Sequence, residues 1–243
     1  MRYFRLNKNP DPKGRCCLGI SQEDPNPPEV SGRCSGRCCL LLFGILLFNC
    51  LCLSGCKSYY RHLMRGEGDV NCIRAFSPAF SNNLYSAYVD VTRHHFSGIL
   101  FFKRMPDSSM RIVFTNEIGV KFFDFAFTKD NEFIKYYVLA KLDKKVVVNA
   151  LKNDLRLVLL KPDLSEAKIF KDSVYTYVTT RDKNGNDHYV TEDCKKLVRI
   201  EKASKRKPVV VVQMLDYING IPDSIDVQHK NFKFHIALKR VER

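Results

Sequence analysis

From Cys38 to Leu53 the chain reads CCLLLFGILLFNCLCL, sixteen residues without a charge, with Arg33 and Arg37 just upstream. A basic start, a short apolar run and small residues at its end make the three-part pattern of a secretory signal. The run falls short of the ~20 residues a permanent helix needs to span a bilayer. Residues 1–55 are therefore expected to be a leader and signal, leaving the rest to fold. The alternative is an uncleaved signal-anchor helix, which the length disfavours. The first 30 residues are rich in Pro, Asn and charge and fit a signal poorly, so translation is expected to begin near Val30.

This division changes the meaning of the composition. Seven of the ten cysteines (Cys16, Cys17, Cys34, Cys38, Cys39, Cys50 and Cys52) precede Cys56, so the folded part is not a disulfide scaffold. Cys34, Cys38 and Cys39 could suggest zinc. They run into Leu40–Phe48, however, with no His or second cysteine pair at ligand spacing. The formal charge of +14 becomes +11 for residues 57–243, which hold 33 basic and 22 acidic side chains. Beyond Cys56 only Cys72 and Cys194 remain; they could pair in an oxidising compartment if their Cα atoms approach within about 7 Å.

The ending Leu53-Ser54-Gly55-Cys56 resembles the lipobox of bacterial lipoproteins: aliphatic, small, small, Cys. Small residues give a peptidase access to the backbone, and the Cys56 thiol supplies the sulfur that carries diacylglycerol. Two or more acyl chains anchor stably where one does not. Lys57 and Ser58 follow, and the missing Asp implies, by the enterobacterial sorting rule, the outer membrane. The resemblance thus implies a lipid-anchored protein of the outer membrane, facing the periplasm.

Residues 56–83 show no long periodic element and are expected to be a lipidated tether and N-terminal segment with a short helix. Strand signals accumulate from Ser86. Ala87–Thr92 and Phe96–Lys103 read as strands joined across His94 and His95. Met110–Thr115 and Val120–Phe127 turn at Asn116-Glu117-Ile118-Gly119, and Phe133–Ala140 continues the sheet. Val147, Ala150, Leu151, Leu155, Val158 and Leu159 recur at helical steps within Lys144–Leu160, with Asp154 as the polar exception on that stripe. Pro162 marks the end. Val174–Thr180 and His188–Thr191 flank the turn Lys183-Asn184-Gly185-Asn186. Leu197–Lys202 and Val209–Met214 follow. In the last strand Phe232, Phe234, Ile236 and Leu238 share one side. About nine strands and one helix predict an α+β class, an antiparallel sheet wrapped around a helix. Phe122, Phe123, Phe125 and Phe127 place bulky groups on both faces of one strand, which calls for cover on both or a cavity on one.

Three stretches resemble the LolA/LolB family, most nearly its outer-membrane lipoprotein receptor LolB. They are Leu100–Arg104 with Met110–Gly119, similar to a two-strand unit ending in a Thr-Asn-Pro-Leu-Gly loop; Gly220–Val227, similar to a Pro-x-x-aliphatic lead-in to the last strands; and the closing strand Phe232–Leu238. The resemblance spans most of residues 84–243. It implies a strongly curved antiparallel half-barrel with a helical lid or plug, enclosing an apolar cavity for the acyl chains of lipoproteins. Phe102, Ile112, Phe114, Phe123, Phe125, Leu151 and Leu155 are the candidates to line it. Ile118 occupies the place of the protruding loop leucine that helps insert cargo into the membrane, flanked by Gly119 and by Glu117 where the family has Pro. The alternative for Ile118 is a side chain folded back on an ordinary hairpin. A LolA-like periplasmic carrier is the implied partner.

No enzyme is expected. The chain has no His-Glu-x-x-His, no Gly-x-Ser-x-Gly and no phosphate loop, and His94-His95 reads as a solvated turn rather than a ligand pair. No metal or cofactor is expected. Export makes nucleic acid an improbable partner for the basic patch Lys205, Arg206 and Lys207; anionic headgroups or an acidic carrier surface fit better, and a solvated hairpin is the plain alternative. Two functions stay open: a lipid-handling acceptor with an open cavity, or a lipoprotein with the same fold and a filled core, used as an interaction or sensor module.

Overall fold

The computed structural model describes residues 58–91, 93–182, 185–204 and 206–241, all within one compact unit that begins at Cys56. In chain order the strands are β1 (Met64–Arg65), β2 (Asn82–Val91), β3 (His94–Arg104), β4 (Met110–Thr115), β5 (Lys121–Phe127), β6 (Phe133–Val138), β7 (Lys168–Lys171), β8 (Thr176–Asp182), β9 (Gly185–Glu192), β10 (Lys196–Ala203), β11 (Pro208–Ile218), β12 (Ile221–His229) and β13 (Phe234–Arg240). A 3-10 helix covers Val70–Phe76, and one α-helix, α1, covers Lys145–Leu159.

All thirteen strands join one antiparallel sheet in the order β1-β7-β8-β9-β10-β11-β12-β13-β2-β3-β4-β5-β6. The sheet is open, with β1 and β6 at its edges. Among the described residues this is nearly an all-β domain, which corrects the expected α+β class. The extra strands come from segments without a readable period. β1 has two residues and β7 four, too short for alternation to show, and β12 opens on Ile221-Pro222-Asp223-Ser224.

The alternating strands bury one face. Tyr85, Ala87 and Val89 on β2 are inside, as are Leu100 and Phe102 on β3 and Phe234, Ile236 and Leu238 on β13. Phe232 is outside this set: β13 starts two residues later, and Phe232 lies exposed in the turn before it. α1 lays Leu151, Leu155, Val158 and Leu159 into the same core, and Leu160 ends it in a left-handed conformation. Its N-cap Lys144 makes no side-chain cap, so tertiary burial rather than capping holds this helix in place.

β5 is covered on both faces, with Phe122 to Phe127 all buried, but one face carries a carboxylate. Phe123 and Phe125 stack at 4.6 Å inside, while the register shift between Phe114 and Thr115 brings Phe122 onto Phe114 and Phe96. Asp124 lies opposite Val113, on the other face, where Arg111 and Lys121 close over it.

The segment expected as a tether is packed. Ile73 and Phe80 are fully buried, Phe80 stacks on Phe102 at 4.2 Å, and the Tyr60 hydroxyl donates to Glu201 at 2.7 Å. Cys72 of the 3-10 helix is joined by a disulfide to Cys194 in the β9–β10 turn, with Cα atoms 5.7 Å apart. Among the described residues no helix is long and apolar enough to cross a membrane.

Candidate functional site

The β4–β5 turn presents the residue singled out as a membrane-insertion tip. Asn116 organises it: its backbone N–H donates to the Val120 carbonyl at 2.9 Å, and its side-chain oxygen accepts from the Val120 N–H at 2.7 Å. Gly119 closes the turn at φ +87°, a conformation that side-chain-bearing residues rarely adopt. Ile118 stands at the apex with 85% of its surface exposed, and Val120 beside it is 45% exposed. It is not folded back on the hairpin. Glu117 turns toward β3 and accepts a hydrogen bond from the Ser97 hydroxyl at 3.1 Å. The apex is therefore aliphatic.

The seven candidate cavity residues come together, but in a packed core. Phe102, Ile112, Phe114, Phe123 and Phe125 project from β3, β4 and β5, and Leu151 and Leu155 meet the same cluster from α1. All seven are buried, and none lines the clefts that open at the surface beside Asn82, Arg74, Phe76, Asp90 or Asn153. Clefts of about 490–700 Å³ lie at the periphery instead; one is bounded by Phe76, Leu197, Met214 and Tyr217.

Asp154, the polar misfit of the helical stripe, is explained by the tertiary structure. It is 1% exposed and accepts from, or donates to, His229 Nε2 at 2.8 Å on the end of β12. Burial pushes its carboxyl above the ordinary range, and the His229 hydrogen bond and charge only partly oppose this. Its other oxygen is buried without a partner among the described residues. The His229 ring lies 4.6 Å from Phe232 and 4.8 Å from Phe234. This contact joins the core helix to the β12–β13 turn, and only the spacing anomaly at Asp154 hinted at it in the sequence.

The basic patch divides. Arg206 and Lys207 are exposed in the β10–β11 turn, which Ser204 organises by accepting from both their N–H groups; Lys205 lies outside the described residues. Lys202 and Arg199, close to the patch in sequence, are committed elsewhere. Lys202 bridges Asp182 at 2.8 Å and Asp187 at 3.2 Å, and Arg199 holds Glu201 at 2.6 Å. His94 and His95 are exposed and begin β3, where His94 pairs with Val91, and His95 hydrogen-bonds Asp90. Among the described residues no cluster of three His, Cys, Asp or Glu could hold a metal. Cys56 lies outside the described residues.

No protein-family model matches the sequence, and no curated protein is similar to it. Among solved structures, the chain is similar to a domain from Vibrio parahaemolyticus assigned provisionally as an outer membrane lipoprotein-sorting protein. The two share 6% identity over 71% of this chain and 90% of that one, with a TM-score of 0.39. A likeness of that degree establishes neither family nor activity.

Proposed function

We propose that the chain is a non-enzymatic lipoprotein, anchored through Cys56 in the outer membrane and facing the periplasm. In this reading it takes acylated proteins from a LolA-like soluble carrier and helps place their acyl chains in the membrane. The observation that carries it is Ile118, an aliphatic side chain 85% exposed at the apex of a turn whose one carboxylate is tied back to Ser97. Such a tip can dip into the acyl boundary while the domain stays outside. The Cys72–Cys194 bridge supports an oxidising compartment such as the periplasm.

A second reading is favoured by the packed core. An acyl chain gains roughly 0.8 kcal/mol per buried CH2, but here the space it would occupy is filled by the helix and the phenylalanine cluster. A lipoprotein used as an interaction or sensor module needs no such space. The acceptor reading requires α1 to yield when cargo arrives.

The compact unit after Cys56, mixed with an acylated lipoprotein loaded on its carrier and followed by native mass spectrometry, decides between them. The acceptor reading expects a one-to-one complex with the cargo, lost in Ile118→Glu while the fold is retained. A folded domain that takes neither cargo nor a fatty-acid probe leaves the interaction module.

A further inference from the structure

We infer that one end of the sheet is a docking surface for an anionic phospholipid membrane, formed by three turns rather than by the Ile118 tip alone. The register places the turns β10–β11, β12–β13 and β2–β3 side by side. Ala203 pairs with Pro208, Val210 with His229 and Phe234 with Val91. Three hairpin tips therefore end at one level along neighbouring strands. The β4–β5 turn lies at the same end but is set back, since Thr115 pairs with Ile99, five residues into β3 from His94.

These three tips carry Arg93, Arg206, Lys207, Lys230 and Lys233, all exposed, with Phe232 44% exposed between the last two. None of the five cations forms an ion pair with a described residue. The turn sequences here (Ser204–Lys207, Lys230–Lys233, Thr92-Arg93) contain no carboxylate. The opposite end differs: its turns hold Asp107, Asp130, Glu132 and Asp193 against Lys129 and Lys195. The domain is thus polarised along its strands. Cations around an exposed aromatic match a bilayer surface, where headgroups take the charge and the ring takes the acyl boundary.

The path of the chain selects this occupant. The Tyr59 N–H donates to the Arg206 carbonyl at 2.7 Å, so the polypeptide joins the domain at the cationic end. Cys56 is three residues earlier, and three residues reach at most ~11 Å. An acyl anchor on Cys56 would hold these turns, not the acidic end, against the bilayer. That part rests on the lipoprotein reading of Cys56; the charge and the register do not.

Co-sedimentation tests the surface with the compact unit after Cys56, without acylation, on vesicles of phosphatidylethanolamine with phosphatidylglycerol and on neutral phosphatidylcholine vesicles. Each surface cation is worth about fivefold in partitioning. Lys230→Gln/Lys233→Gln and Arg206→Gln/Lys207→Gln should each bind the anionic vesicles about 25-fold more weakly, and Phe232→Ser should lower binding at both low and high salt. Lys129→Gln, at the opposite end, should bind within twofold of the unsubstituted domain. Equal binding to both vesicle types, no binding to either, or equal losses from Lys129→Gln overturns the proposal; absence of binding would leave the cationic turns to an acidic protein such as a carrier. Mass spectrometry of the full chain reads Cys56 acylation separately, so a failure of the anchor is distinguishable from a failure of the surface.

Discussion

Replacing His229 by Phe isolates the contact between the core helix and the β12–β13 turn. The substitution keeps an aromatic ring beside Phe232 and Phe234 and removes only the nitrogen 2.8 Å from Asp154. The carboxyl is then buried without a partner, and it escapes by holding its proton. At pH 7 that costs at most the free energy of keeping protonated a group whose ordinary value is 3.8, about 4 kcal/mol. For a domain of this size it corresponds to roughly 8–16 °C in Tm. The sign follows from the raised carboxyl: stability is fully present below the ordinary carboxylate range and is lost as pH rises above it, because only the unfolded chain releases the proton. The loss in His229→Phe should therefore grow between pH 4 and pH 7. Asp154→Leu leaves the imidazole unpaired, a smaller cost of about 1–3 kcal/mol. The double variant, with apolar groups on both sides, should recover most of the loss. Urea denaturation of the four proteins at pH 4 and pH 7 gives the cycle. Additive losses within about 0.5 kcal/mol, or a pH-independent loss in His229→Phe, would refute the reasoning.

Two further predictions concern the other buried polar features. Burial alone would raise the Asp124 carboxyl, but the Arg111 and Lys121 hydrogen bonds and charges outweigh it and hold it below the ordinary range. Its stabilisation is present above that range and lost as pH falls through it; the acid limb of the stability curve should therefore be shallower in Asp124→Asn, and an unchanged limb contradicts the assignment. The Cys72–Cys194 bridge spans 122 residues, and its reduction should cost about 2–5 kcal/mol. Thermal melts with and without reductant measure this, and two free thiols in the oxidised protein would refute the pairing.

Much of the sheet was readable because alternation reports a half-buried strand directly. Met110–Thr115 was placed to the residue, and Lys144–Leu160 differs from the helix by one residue at each end. Asp154 stood out as a misfit on an apolar stripe, although nothing local pointed to His229, 75 positions away. Cys72 and Cys194 could be named as the two cysteines left after Cys56, but pairing is a distance between chain-remote atoms, which only the tertiary structure supplies.

The short strands β1 and β7 and the Pro-containing β12 were missed for a related reason. They are strands because neighbours supply hydrogen bonds along their whole length, not because their own residues alternate. Adding them moved the domain from α+β to an almost entirely β sheet. Local pattern could place an aliphatic residue at a turn, but not that Ile118 points outward while Glu117 reaches Ser97 on the neighbouring β3. The charge content, likewise, was visible from composition. Its concentration at one end of the sheet was not, because register aligns turns more than a hundred residues apart, and register is a property of paired strands.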